Sequence, residues 1–377
     1  MLHNYARGLM SDVKNILDLS IADLKKAVAE VGLRPFVVTQ LIEWLYQKKA
    51  PSFDVMGNVS KSNRDILKKH FLLEPMNVEK IQTAKDGTQK YLFQLPNKKN
   101  ADGGCQGESQ DYPLTPASVG FIPRERIEAV KIPAETSRLT ICLSSQVGCG
   151  IGCSFCRTGM MGLSRNLTQA EMLGQVLEIE RRCLEEKVTN LVFMGMGEPM
   201  ANLKVLIPAL EILTHEKGFN FSKRRITVST SGLVPKMVEF VAQSDVKLAI
   251  SLHAANNVLR DQLVPLNKKY PLKQLKQFCL DFQKAKSTRH RITFEYVMLK
   301  GVNDTESCLE ETIAFLKEIR SKVNLIPFNP FPESHYQSST EETVTHWVDR
   351  FFKAGIQTNV RHERGREILA ACGQLAA

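Results

Sequence analysis

Three cysteines stand within the run Cys149-Gly150-Ile151-Gly152-Cys153-Ser154-Phe155-Cys156. Three thiolates this close can bind three irons of a 4Fe–4S cube and leave the fourth iron without a protein ligand. An open iron is chemically useful because a substrate can chelate it. A zinc site is one alternative, but structural zinc takes four ligands in paired spacing, and no nearby Cys or His completes a second pair. Three unrelated buried cysteines are the other, and the spacing speaks against it. A second stretch, Gly195-Met196-Gly197-Glu198-Pro199, joins glycines that let backbone approach a ligand to a carboxylate that can hold a cationic group. Taken alone, it reads as an ordinary strand-to-helix loop.

Both stretches need a frame that brings them together. From about Leu139 onward, apolar β-type runs (Leu139–Leu143, Leu191–Met194, Ile226–Val228, Val246–Ile250, Ile292–Met298 and Val323–Ile326) alternate with helical stretches centred on 170–186, 203–216, 234–242, 272–285 and 306–319. About six β/α units predict an α/β fold, with a parallel sheet curved into a partial barrel over 137–377. Ligands in such folds collect at the C-terminal ends of the strands. The cysteine loop follows the first of these strands and the glycine turn ends the second.

Two segments precede the barrel. Residues 1–75 read as a small helical domain: Ser20 with Asp23 resembles a capping box, Gly32 sits where a helix-ending glycine belongs, Pro35 can open a second helix, and Lys61 to His70 is a third. Residues 76–136 read as an extended connector, with Asp86-Gly87 as a hairpin turn and a Pro- and Gly-rich loop insertion near 97–125.

At 377 residues, 43% hydrophobic and 24% charged, the chain has the composition of a soluble globular protein. No apolar run reaches the roughly 20 residues that span a bilayer, and no secretory signal is visible, so a cytoplasmic protein without a membrane partner is expected. A net charge of +10 fits a polyanionic partner. In a reducing compartment the nine cysteines are not a disulfide framework, so clustered ones point to metal binding or catalysis.

The CxxxCxxC loop and the GMGEP turn resemble those of the radical S-adenosylmethionine (SAM) superfamily. Finer stretches narrow the match: Leu143 to Cys149, Ser229-Thr230-Ser231-Gly232, Ser251-Leu252-His253, Asn324 to Pro330, Ala371 to Leu375, and Asn15 to Leu19 near the start. They closely resemble the RlmN family, the dual-specificity (adenine-C2)-methyltransferases of 23S rRNA and tRNA. The resemblance implies a partial (β/α)6 barrel with one 4Fe–4S cluster on Cys149, Cys153 and Cys156. It implies SAM, two per turnover, contacted by Gly197, Glu198, Ser229, Ser251, Leu252, His253 and Asn329. Cys372 is implied to take a methyl group from one SAM. A second SAM, cleaved reductively, then generates a radical on that methyl, which adds to adenine C2. Cys142 resolves the adduct through a transient disulfide, and Glu128 aligns with the family's proton acceptor.

Its implied partners are 23S rRNA, tRNA, an electron donor and a thiol reductant. The N-terminal helices are implied to contact RNA, with Lys223-Arg224-Arg225, Lys268-Lys269, Arg289, Arg291 and Arg361 through Arg366 as candidate phosphate contacts. Two rivals stay open at this level. One is Cfr-type methylation at adenine C8, with the same cluster and cysteine pair. The other is a non-catalytic RNA-binding protein with a structural metal site.

Overall fold

The computed structural model describes residues 13–96, 125–134, 138–183, 186–286 and 291–377. The insertion expected near 97–125 lies outside these residues except for Glu125, and so do Cys105 and Arg289. The chain forms two compact units, one made of 1–77, 168–187 and 204–222, the other of 78–167, 188–203 and 223–377.

The larger unit is built on one sheet of ten strands: β1 Asn77–Thr83, β2 Gln89–Gln94, β3 Arg126–Pro133, β4 Leu139–Cys142, β5 Asn190–Phe193, β6 Ile226–Thr230, β7 Lys247–Ser251, β8 Ile292–Met298, β9 Ser321–Pro327 and β10 Gln357–Val360. Each strand lies beside its neighbour in sequence. From β4 to β10 every pairing is parallel, whereas β3 runs antiparallel to β4 and β2 antiparallel to β3. Parallel strands of this kind are buried on both faces. All seven residues of β8 are accordingly buried, with Phe294 and Tyr296 fully so.

Two features extend the expected plan. The six anticipated parallel strands become seven, because helix Glu341–Lys353 leads into β10. The connector strands β1 to β3 join the same sheet instead of forming a separate layer. The anticipated hairpin turn is present. Ala84 N donates to the Thr88 carbonyl at 2.8 Å, Thr88 N donates to Asp86 Oδ1 at 3.0 Å, and Gly87 takes the φ of +79° that the turn requires.

The smaller unit gathers helices Ile21–Glu30, Phe36–Ile42 and Lys61–His70 with Gln169–Arg182 and most of Leu203–Thr214. Ser20 caps the first of these by accepting from Asp23 N at 3.0 Å, and Gly32 ends it at φ +75°. The Asn15-to-Leu19 motif holds the start of helix 169–182. Asp18 Oδ1 accepts from Ala170 N at 2.8 Å, where a carboxylate favours the helix N-terminus, and Gln169 Nε2 donates to the carbonyls of Leu17 and Leu19. Val28, Val37, Leu41, Leu45 and Tyr46 form its core.

Candidate active site

A cavity opens at the C-terminal ends of the parallel strands. Its wall carries Cys149, Cys153 and Cys156 from the loop after β4, Gly195, Gly197, Glu198 and Pro199 from the turn after β5, Ser229 to Ser231 from the end of β6, and Ser251 and His253 from the end of β7. The two stretches that stood out in the sequence therefore face one space.

The cysteine loop suits a cluster by its chemistry. Burial raises the Cys149 and Cys153 thiols well above their ordinary value, and neighbouring sulfurs of the trio raise both further. Three crowded thiols become thiolates together only against a strong local cation, and coordinated iron supplies that charge. Among the described residues no three His, Cys, Asp or Glu side chains converge on a site for a single metal ion.

Glu198 is buried, and burial raises its carboxyl pKa. Its Oε2 accepts from Ser231 N at 2.7 Å and its Oε1 from Met200 N at 3.1 Å, which fixes its rotamer. An ionised carboxylate offers about four acceptor sites, so capacity for a ligand's ammonium remains. Gly197 has φ +98°, and a Cβ there would lie 2.5 Å from Gln146 Cβ, so only glycine lets the turn pass this close to β4's loop.

His253 also has a positive φ, +58°, and its ring meets Phe155 edge-on with centroids 4.7 Å apart. Its Nδ1 accepts from Val297 N at 3.0 Å, so the neutral ring carries its proton on Nε2. Burial, with a smaller push from Arg260, holds this imidazole down at about 3. An unfolded histidine titrates near 6.5, so between about pH 6.5 and 3 the unfolded state binds a proton that the native state refuses. Stability contributed by neutral His253 is therefore intact above about pH 6.5 and is lost as pH falls. Urea unfolding is expected to show about 2 kcal/mol less stability from this group at pH 5 than at pH 7. His253→Gln, which keeps an acceptor for Val297 N, should remove that increment, and an unchanged pH slope would contradict the assignment.

Two of the expected SAM contacts lie elsewhere. Leu252 is fully buried and does not line the cavity; its N–H donates to the Glu295 carbonyl and its own carbonyl accepts from Arg260 Nε. Asn329 lies at a second cavity, where its Nδ2 donates to the Cys372 carbonyl at 3.2 Å. Cys142, Cys156 and Arg361 line that second cavity too. Cys372 is part of both walls and remains solvent-exposed, whereas Cys142 is buried at the end of β4. Burial, and then the Cys372 sulfur, push the Cys142 thiol up to about 12.

Glu128 lines neither cavity. Its Oε1 pairs with Lys90 Nζ at 2.9 Å and its Oε2 accepts from Ala376 N at 2.9 Å; burial raises its pKa, opposed by Lys90. Arg361, expected among the phosphate contacts, turns inward instead. Its Nη1 reaches Glu295 Oε2 at 3.4 Å, and Asn324 Nδ2 donates to Glu295 Oε1 at 2.8 Å. Glu295 and Lys90 were not singled out from the sequence, where each is a lone charge in a strand. A charged residue inside an otherwise apolar run, as in Thr293-Phe294-Glu295-Tyr296-Val297, is the signal that marks Glu295.

Residues 143–316 match the model of the Radical SAM superfamily, and residues 14–73 match that of the Ribosomal RNA large subunit methyltransferase N-terminal domain. The chain is 42% identical over 375 residues to the Dual-specificity RNA methyltransferase RlmN of Rhodopseudomonas palustris strain BisB5, covering 96% of this chain and 89% of that one. It is 41% identical to the protein of that description from Alkalilimnicola ehrlichii, with 96% and 93% covered. Among solved structures, a radical SAM methyltransferase from Sphaerobacter thermophilus aligns with a TM-score of 0.83 at 38% identity, over 96% of this chain and 99% of the other.

Proposed function

The chain belongs to the RlmN family of dual-specificity RNA methyltransferases, and from that premise we propose that it methylates adenine C2 in 23S rRNA and in tRNA, with the methyl group carried on Cys372. The observation that supports this most is that Cys372 belongs to both cavity walls, one with the three loop cysteines and the other with Cys142. A methyl-carrying thiol has to face its methyl source, its substrate and its resolving partner in turn, and that junction allows all three.

Adenine C2 lies between two ring nitrogens and is electron-poor, so it cannot attack an electrophilic methyl group. Cys149, Cys153 and Cys156 would hold a 4Fe–4S cluster, which together with SAM would supply the one-electron chemistry that such a carbon needs. On this reading Glu198 accepts from the SAM ammonium, and the Gly195–Gly197 turn lets that end approach the backbone. Ser229, Ser251, His253 and Asn329 complete the contacts, with Leu252 between Ser251 and His253 serving to hold that strand end in place through its bonds to Glu295 and Arg260.

Cys372 loses its thiol proton and, as a thiolate, forms the S–CH3 bond while the methyl–sulfonium bond of SAM breaks and S-adenosylhomocysteine leaves. The cysteine then presents that carbon to the adenine, which is splayed out of its RNA loop. After the carbon–carbon bond has formed and the ring has lost its C2 proton, the Cys142 thiolate bonds to Cys372 Sγ as the Cys372 S–C bond breaks; the electron pair stays on the carbon, which takes a proton to become the methyl group, and the RNA leaves with a disulfide remaining for an external thiol to reduce. Two SAM molecules and an electron donor are required per turnover. Glu128 is the proton acceptor on this reading; its oxygens meet Lys90 Nζ and Ala376 N, one partner each, which leaves lone pairs for a proton. Exposed Lys223, Arg224, Arg225, Lys268 and Lys269 are offered to phosphates, and residues 1–75 form a second RNA-contacting domain. No helix among the described residues is long and apolar enough to cross a membrane.

Nucleoside mass spectrometry after anaerobic incubation with SAM, a reductant and each RNA tests the proposal. 2-Methyladenosine is expected from both RNAs. Only 8-methyladenosine would move the chain to the alternative regiochemistry, and no methylated adenine would overturn the substrate assignment.

A further inference from the structure

Lys90 and Glu128 form an ion pair whose side chains are only 7% and 6% exposed. A buried pair of this kind is a poor source of stability, because desolvating both charges cancels much of their attraction. The remaining hydrogen-bonding capacity of each partner is informative. Lys90 Nζ donates to the Leu369 carbonyl at 3.3 Å, and Glu128 Oε2 accepts from Ala376 N at 2.9 Å. The pair thus grips backbone on both sides of Cys372, three residues before it and four after.

The gripped segment is under constraint. Leu369 sits at φ +50°, a conformation a branched side chain adopts only when its surroundings impose it. The hairpin of β1 and β2 supplies further contacts: Asp86 Oδ2 accepts from Gly365 N at 3.1 Å, and Lys85 N donates to Glu367 Oε1 at 2.7 Å. A Cβ on Gly365 would lie 2.9 Å from Thr88 Cγ2, so hairpin and segment are in close contact. Beyond Cys372, Thr158 Oγ1 donates to the Leu375 carbonyl at 2.6 Å and Arg157 N to the Gly373 carbonyl at 2.8 Å.

We infer that Lys90 is a positioning residue, which acts with Glu128 as a two-point clamp that holds the Cys372 segment at the junction of the two cavities. The inference rests on the reading of Cys372 as methyl carrier for its purpose, but not for its geometry. Glu128 faces Lys90, the Ala376 N–H and, at longer range, Arg157, so the clamp is held by charge and backbone together.

The test measures the alkylation rate of Cys372 by iodoacetamide in the cluster-loaded protein, read by peptide mass spectrometry, beside the yield of methyladenosine per SAM cleaved. Lys90→Met is expected to raise the alkylation rate about tenfold or more and to lower the yield, because ion-assisted hydrogen bonds are among the stronger ones. Lys90→Arg, which keeps the charge and its donors, should behave as the parent. Ala376→Pro removes one backbone donor without touching the buried pair, and should also raise the rate; it decides the matter if Lys90→Met fails to fold. The double variant Lys90→Glu with Glu128→Lys restores the charges but not the two backbone contacts, so the fast rate should persist.

Unchanged alkylation in both Lys90→Met and Ala376→Pro, or full rescue by the charge swap, would overturn the clamp. Failure of the methyl-carrier reading would show separately, as RNA methylation by Cys372→Ala, and would leave the alkylation result standing.

Discussion

Cys372→Ala is expected to bind SAM and cleave it, yet to transfer methyl to neither protein nor RNA, with at least about a ten-thousandfold loss of methylation. The substitution should leave the site intact. The side chain is exposed, and the contacts that hold its loop, from Asn329 to its carbonyl and from Arg157 to that of Gly373, go to the backbone. What disappears is, among the described residues, the one thiol outside the cluster loop that lines both cavities. Incubation with methyl-labelled SAM reads both acceptors in one experiment. Methyladenosine formed at a tenth of the parent rate or faster would show that the methyl reaches RNA without this thiol.

Cys142→Ala separates bond formation from release. Its thiol is buried at the end of β4 and raised to about 12, so it is inert in the resting protein and gains a role only once Cys372 carries the RNA adduct. Without it, the adduct should accumulate as a protein–RNA conjugate on a denaturing gel, close to one per active protein. Release of methylated RNA should fall by about a hundredfold or more. Deleting one buried sulfur costs roughly 1 kcal/mol of stability, too little to unfold the domain. Normal turnover with no conjugate would remove Cys142 from the pathway.

What the sequence disclosed and what it hid follow from the range over which each feature is built. The cluster loop is complete within Cys149 to Cys156 and the binding turn within Gly195 to Pro199, so local spacing exposed both. β4 through β9 announced themselves as apolar, β-branched runs because parallel strands are covered on both faces. β10 did not, since Gln357-Thr358-Asn359-Val360 is a half-exposed edge with only four residues in which to show alternation. The helix before it was missed as well, although Val344, Trp347 and Phe351 recur at helical spacing and share one buried face.

The proposed pairing of Cys142 with Cys372 has no signal in spacing, for the two come to line one cavity only when β4 and the C-terminal segment are folded together; the family resemblance alone suggested it. Arg361 has a partner that its neighbours in the sequence do not reveal. Within a run of basic residues it read as a phosphate contact, whereas the buried carboxylate of Glu295, a β8 residue, draws its guanidinium inward. Lone charges such as Lys90 have no local signature at all, and their partners are set by strand order.

The central claim, that the methyl group reaching the RNA is first carried on Cys372, has a direct test. The protein is loaded with methyl-deuterated SAM, freed of unbound SAM, and then given unlabelled SAM, reductant and RNA. Mass spectrometry of the first equivalent of methyladenosine should find deuterium drawn from the preloaded protein, with unlabelled product only in later turnovers. A first equivalent free of deuterium, from protein whose Cys372 is demonstrably methylated, would contradict the account.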